Sequence, residues 1–364
     1  MYDYFFPAYK AGGPIQSIAN LVNQFSENIN YRIFCSNNDL DTSTLNVVAD
    51  KWFRYNAHAE VYYSSTTSIT ILKKEVREYN PDILFINGIY SFRYNILPLL
   101  FCQAPRKIIS ARGMLHPGAL SQKKNKKRFY LSILKLLGIH KKYEFHASNE
   151  EEKKYIQKIF GDKAIIHIAY NFPRVLEKQI VPEKLPGSLK LISIALISPM
   201  KNHLLVINAL QSCTQRIQYD IYGPIKDELY WKQCLEAINK MPANISVKYH
   251  GDIEPDRVEN ILKNSHVFIL PSKSENFGHA IYEALSAGRP VITSTNTPWN
   301  DLQSSSAGIN VSLNETEISM AIDEFANMDD VELEKWSVGA HKYARKAIDL
   351  NSVKDQYRKM FAND

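Results

Sequence analysis

The sequence predicts an α/β protein built from two parallel-sheet domains in series. Three observations carry this expectation. Strand-length apolar runs alternate with amphipathic helix-length runs through most of the 364 residues. The alternation breaks near residues 177–188, where Pro182, Pro186 and Gly187 sit among charged side chains. No apolar run reaches the roughly 18 residues a membrane helix needs, and the longest, such as Leu191 to Ile197, are strand-length. Strand–helix alternation implies parallel strands, whose connections must cross over the sheet and cover it. The length is more than one core uses and is comfortable for two.

In the first half, Pro14 to Glu27 carries Ile15, Ile18, Ala19, Val22 and Phe25 on one helical face. Tyr31 to Cys35 reads as a strand, and Ser68 to Tyr79 as a helix that stops at Asn80-Pro81-Asp82. Strands follow at Ile83 to Asn87 and Lys107 to Ser110. A first strand should precede Gly12-Gly13, and only Met1 to Phe6 is available for it. After the break, strands are expected at Leu189 to Leu196, Gln218 to Tyr222, Ile245 to Tyr249, Val267 to Leu270 and Pro290 to Ser294. Helices between them are expected at His203 to Ser212, Tyr230 to Asn239, Val258 to Asn264 and Ile281 to Ala287. Domains are therefore expected at 1–180 and 181–340, with a last helical segment, 341–364, that crosses back to the first. Two such domains place a ligand in the cleft between them, at the carboxyl ends of the strands.

Charge is unevenly distributed. Residues 1–180 hold 25 Lys/Arg against 15 Asp/Glu, whereas residues 181–364 hold 19 against 23. Arg106 to Lys142 contains eleven basic residues and no acid, a field that attracts an anionic surface or polyanion. No aromatic platform or basic reading helix accompanies it, so nucleic acid is set aside. Within it, Phe129 to Lys142 interleaves cations with Phe129, Tyr130, Leu131, Ile133, Leu134, Leu136, Leu137 and Ile139. That pattern fits a helix resting on anionic lipid, or a core helix with a basic outer face. The N-terminus lacks the pattern of an export signal, and Cys35, Cys102, Cys213 and Cys234 lack metal-ligand spacing. Reduced thiols and a cytoplasmic location, peripheral to the membrane's inner face, are expected.

The densest chemical signal is Leu270 to Ser294: an apolar strand end at Pro271, a polar loop with Ser272, Ser274 and Glu275, then a helix from near Phe277 or Gly278 containing Glu283. Were the helix to begin at Glu275, its carboxylate and that of Glu283 would stand about 80° apart around the axis and roughly 12 Å along it. Such a pair is poorly placed for joint acid–base work. It suits recognition of hydroxyls at two ends of an extended ligand. Amides near Gly278 and the helix N-terminus suit a diphosphate.

This segment resembles the signature of glycosyltransferase family 4, in which two glutamates are separated by seven residues, and Glu275 and Glu283 occupy those places. The resemblance extends over nearly the whole chain: Tyr9 to Ile15 with Gly12 and Gly13 is similar to the glycine-rich first loop, Ser110 to Met114 to a segment of bacterial polysaccharide transferases, and Asn171-Phe172-Pro173 to the segment before the linker. Ile197 to Asn202 is similar to the loop of the phosphate-binding lysine, here Lys201, and Thr297 to Leu302 to a late loop. The resemblance implies a GT-B fold, two Rossmann-like domains facing a cleft, and transfer of a hexose-type sugar with retention. It implies no cofactor and no metal, only a UDP- or GDP-linked sugar as donor. The acceptor it implies is a glycan or lipid-linked glycan, in polysaccharide or lipopolysaccharide assembly.

On that reading Glu275, His116 and Lys201 are the catalytic candidates, and Glu283, Lys201, Gly12, Gly13, Gly223, Phe277, Gly278 and Arg112 contact the donor. His279 adjoins the signature and fits the cleft rim as well as the site, and Trp299 is more in keeping with packing than with sugar stacking. One position departs from the family pattern. The arginine that usually accompanies the lysine, five residues before it, is Leu196, so a second phosphate cation would have to come from Arg112 or Lys273. A nucleotide-sugar epimerase or phosphorylase of the same layout, or a sugar-nucleotide-binding protein with weakened turnover, are the competing readings.

Overall fold

A computed structural model describes residues 1–27, 29–66, 68–121 and 124–362, the side chains of 121 and 124 apart. Residues 122 and 123 of the basic stretch therefore lie outside the described residues. The chain forms two compact units, Met1–Phe172 with Leu350–Asp364, and Pro173–Asp349. These limits differ from the expected 180 and 340 for identifiable reasons. Past Phe172 the backbone is already tied to the second unit: Leu176 N–H donates to Ser286 Oγ (3.0 Å) and Gln179 N–H to the Ala287 carbonyl (3.0 Å). At the other limit one helix runs from Asp330 to Ala347 and buries Ala340 and Ala344 in the second unit's core.

The first unit contains β1 (Tyr31–Ser36), β2 (Trp52–Asn56), β3 (Ala59–Ser64), β4 (Ile83–Asn87), β5 (Arg106–Ser110), β6 (Glu144–Ala147) and β7 (Ile166–Ile168). They form a three-stranded sheet, β1-β3-β2, and a four-stranded parallel sheet, β4-β5-β6-β7. Residues 1–3 join the two. Met1 N donates to Phe85 O (2.7 Å) and Asn87 N–H to Met1 O (2.9 Å), while Tyr2 N–H reaches Phe34 O (3.4 Å) and Ser36 N–H reaches Asp3 O (2.9 Å). This extended segment supplies the rung between β1 and β4 that a first strand would supply. The helix Leu350–Phe361 completes the unit: Tyr357 stacks on Phe172 at 5.2 Å, and Arg106 donates to the carbonyl of Met360 (2.9 Å).

The second unit contains β8 (Ser188–Ile194), β9 (Arg216–Tyr222), β10 (Ile245–Tyr249), β11 (Val267–Leu270), β12 (Val291–Ser294) and β13 (Gly308–Val311). They form one parallel sheet in the order β10-β9-β8-β11-β12-β13. Central β11 and β12 are buried along their whole length, as a sheet covered on both faces requires. Helices His203–Leu210, Glu228–Ile238, Val258–Lys263 and His279–Ser286 alternate with these strands. No helix among the described residues is long and apolar enough to cross a membrane. All four cysteines are buried free thiols.

Candidate active site

In the second unit the chain steps outward from β8 to β9 and β10, returns to β11 beside β8, then steps outward the other way. The loops leaving the carboxyl ends of β8 and β11 therefore diverge, and the crevice between them is where open parallel sheets bind ligands. The loop after β8 carries Lys201 and the loop after β11 carries Glu275. Asn202, at φ 65°, starts the His203–Leu210 helix and donates through Nδ2 to Pro271 O (3.3 Å). Lys273 N–H donates to Met200 O (2.8 Å), so the two loops are fastened to each other by main chain as well. Across this seam Lys201 Nζ donates to Glu275 Oε1 at 2.5 Å, and Ser272 Oγ donates to the same oxygen at 2.7 Å. Ser272 is fixed in turn, since its carbonyl accepts from Ser294 Oγ (2.5 Å). Lys201 keeps part of its surface in solvent while Glu275 is nearly covered.

Glu275 is not on the helix. The helix starts at His279, with Gly278 as its N-terminal flanking residue at φ 78°, in the left-handed region that favours glycine. A Cβ there would stand 3.1 Å from Trp299 Nε1, and that Nε1 donates to Phe277 O at 2.5 Å. Trp299 is thus a buried clamp on the turn, and Phe277 packs against it at 5.4 Å. The N-terminal flanking residue, Gly278, has no side chain with which to cap the helix, and the positive end of the helix dipole lies at this turn. Glu283, one turn further, is 7% exposed. No described group donates a hydrogen bond to its carboxylate. Burial pushes its pKa up to about 7, against the opposing pull of the Arg174 guanidinium. Arg174 is itself held by a bond to Pro255 O (2.8 Å). His203, beside Lys201, is buried with neither ring nitrogen bonded, and burial, then the Lys201 charge, lowers its pKa to about 3.

Gly223, at the end of β9, has φ 135°, and a Cβ there would meet Ala195 O at 1.9 Å. Close approach of two strand ends accounts for this glycine. Lys273 is exposed on the Glu275 loop, its backbone beside Met200.

The remaining candidates belong to the first unit. Gly12, at φ 75°, opens the Gly13–Gln24 helix, whose Gly13 is exposed. Arg112 follows β5 and is buried, its Nε and Nη2 on Asn87 Oδ1 (3.0 and 2.9 Å) and its Nη1 on Asn171 Oδ1 (2.6 Å). His116 Nδ1 accepts from Gly118 N–H (3.0 Å), and its ring meets Tyr155 edge-on at 5.2 Å. Buried Glu152 supports this loop by accepting from Gly113 N–H (2.5 Å) and Ser148 N–H (2.7 Å). The structure therefore brings Lys201 and Glu275 into contact, sets Gly278 and Glu283 on the adjoining turn and helix, and leaves Gly12, Gly13, Arg112 and His116 in the other unit, each with its own partners. Ser272 as a support for Glu275, and Arg174 beside Glu283, were not singled out in these roles by the sequence. The first sits in the Pro271-Ser272 step of the recognised segment, whereas the second has no local signal.

Residues 177–331 match the family described as Glycosyl transferases group 1. No curated protein matches the sequence. The fold is similar to that of Anabaena Alr3699/HepE, solved in complex with UDP and glucose: 13% identity, 99% of each chain covered, TM-score 0.70. It is also similar to WaaG, a glycosyltransferase involved in lipopolysaccharide biosynthesis (14% identity, 100% and 99% covered, TM-score 0.67). A glycosyltransferase from Rickettsia africae ESF-5 gives 14% identity, 100% and 98% coverage and a TM-score of 0.64. The chain thus has the GT-B fold of these glycosyltransferases, and its residues 177–331, with Lys201, Glu275 and Glu283 among them, match the group 1 glycosyl transferase family.

Proposed function

We propose that the protein is a retaining, metal-independent glycosyltransferase that takes a hexose-type sugar from a nucleoside diphosphate and delivers it to a glycan or lipid-linked glycan during surface polysaccharide assembly. The observation that carries this reading is the Lys201–Glu275 pair at the strand-order reversal of the second unit. Without ligand, the ammonium rests on a carboxylate. A donor diphosphate would draw Lys201 to itself and free Glu275 to accept from the sugar's hydroxyls. Gly278 and the N-terminus of the His279–Ser286 helix suit the same phosphates. Glu283, an acceptor with no donor, suits the ribose hydroxyls. With leucine at 196, the assisting cation is assigned to Lys273, exposed on the Glu275 loop, since Arg112 is engaged with Asn87 and Asn171. In this mechanism negative charge developing on the leaving diphosphate is stabilised by fixed cations and dipoles, which need no reorganisation as the bond breaks. His116 and the Gly12-Gly13 turn are assigned to the acceptor side.

Thermal stabilisation by UDP, GDP and their sugar conjugates tests the proposal, in wild type and in Glu283→Ala. UDP comes first because Alr3699/HepE was solved with UDP and with UDP-glucose. A shift with one nucleotide, lost in the variant, supports the reading and names the base. No shift with any of them at millimolar ligand would mean that Leu196 has cost the site its donor, and would overturn the assignment of Lys201, Glu275 and Glu283 to donor binding.

A further inference from the structure

The Lys124–Leu136 helix of the first unit has two apolar faces where a surface helix has one. Leu131 and Leu134 point inward and join the unit's core with Leu99, Ile139 and Phe160. Phe129, Ile133, Leu136 and Leu137 are 71%, 38%, 88% and 49% exposed. At about 100° per residue these four fall within an arc of roughly 100°, centred about 140° from the inward pair. Single exposed apolar side chains are ordinary, but four at helical spacing make a stripe. Around it Lys126, Arg128, Lys135, Lys141 and Lys142 are exposed, and from 106 to 142 the sequence holds no acid.

We infer that this stripe docks the protein on an anionic lipid bilayer, with Phe129, Ile133, Leu136 and Leu137 entering the headgroup–acyl boundary and the cations lying over acidic headgroups. The charge selects the occupant. Two copies meeting stripe to stripe would bring like charges together with no acid to neutralise them. An anionic leaflet supplies apolar depth and opposite charge at once. The inference is independent of the transferase reading, because docking needs neither donor nor turnover.

The test is co-sedimentation of the full chain, without nucleotide, on phosphatidylcholine vesicles and on vesicles with one-third phosphatidylglycerol. Partition at least a hundredfold stronger on the anionic vesicles, weakening with salt, is expected. Leu136→Glu with Phe129→Glu should lose tenfold or more. Lys126→Glu, Arg128→Glu and Lys135→Glu together should lose over a hundredfold, since each cation near such a surface counts for about fivefold. All five side chains are exposed, so thermal melts of the variants should match wild type. Equal partition on both vesicle types, or none on the anionic ones at low salt, overturns the inference. So does a wild-type dimer that Leu136→Glu dissociates without changing vesicle partition, which would make the stripe a protein interface.

Discussion

The two units differ in how they hold the polar residues of their candidate sites. In the first, Arg112 is enclosed by Asn87 and Asn171, buried Glu152 accepts from the loop it supports, and His146 bridges Ser110 Oγ and Ala169 O at 2.8 Å each. In the second, Glu283 is buried without a donor and His203 without any partner, while Lys201 and Glu275 hold each other across a seam. A paired buried group rigidifies, whereas an unpaired one costs free energy that a ligand can return. The difference teaches where to look: the polar groups around Arg112 are engaged with one another, whereas His203 and Glu283 of the second unit are buried with no hydrogen bond to the imidazole or the carboxylate among the described residues.

The comparison breaks most readily at Arg112. Arg112→Met leaves two buried amides without their donor and should destabilise the first unit by about 3–5 kcal/mol. Denaturant unfolding would read this, with any nucleotide-induced stabilisation of the second unit kept. An undiminished stability with lost turnover would place Arg112 in the reaction instead. Next in size, Lys201→Met should lower kcat/KM by roughly 100- to 1000-fold, yet change stability by at most about 1 kcal/mol because its ion pair is partly exposed.

Glu283 sharpens the comparison through pH. Its folded pKa, about 7, lies above that of a free glutamate, so the folded state binds the extra proton. Stability is then highest below the unfolded pKa and falls as pH rises through the folded one, by up to roughly 3 kcal/mol. Glu283→Gln removes that loss. Melts should show the variant more stable than wild type at pH 8 and equal to it near pH 4.5, with nucleotide-induced stabilisation diminished throughout. A variant less stable at pH 8 would mean the carboxylate has a donor. The smallest effect is expected at Gly278→Ala, where positive φ and Trp299 3.1 Å from the new Cβ should cost about 1–2 kcal/mol by melting.

Much of this was legible in the sequence. Ile83–Asn87, Ile245–Tyr249 and Val267–Leu270 begin and end where their apolar runs do. Lys201 and Glu275, far apart in the chain, were named together because each lies in a segment that resembles glycosyltransferase family 4, not because any local pattern links them. Other features were hidden for physical reasons. Strands β2 and β7 have no fully buried residue to mark them. The helix carrying Glu283 starts at His279, between the two starts its sequence suggests, because Gly278 adopts a left-handed conformation, which composition does not reveal. Phe129 to Lys142 reads as one amphipathic stretch, but only packing separates Leu131 and Leu134 from the outward stripe. Arg174 reaches Glu283's surroundings solely through tertiary structure.

The Leu350–Phe361 helix has a consequence for how the molecule is made. A ribosome releases the chain from its amino end, and domains generally fold as they emerge. The second unit is continuous in sequence and has all its parts once Asp349 is out. The first unit, most of which precedes the second in the chain, lacks Tyr357 against Phe172 and the Met360 carbonyl for Arg106 until residues 357–360 have been made. The first half made is therefore the last half finished, and a nascent chain arrested near residue 349 would expose an incomplete aromatic core in the half already synthesised.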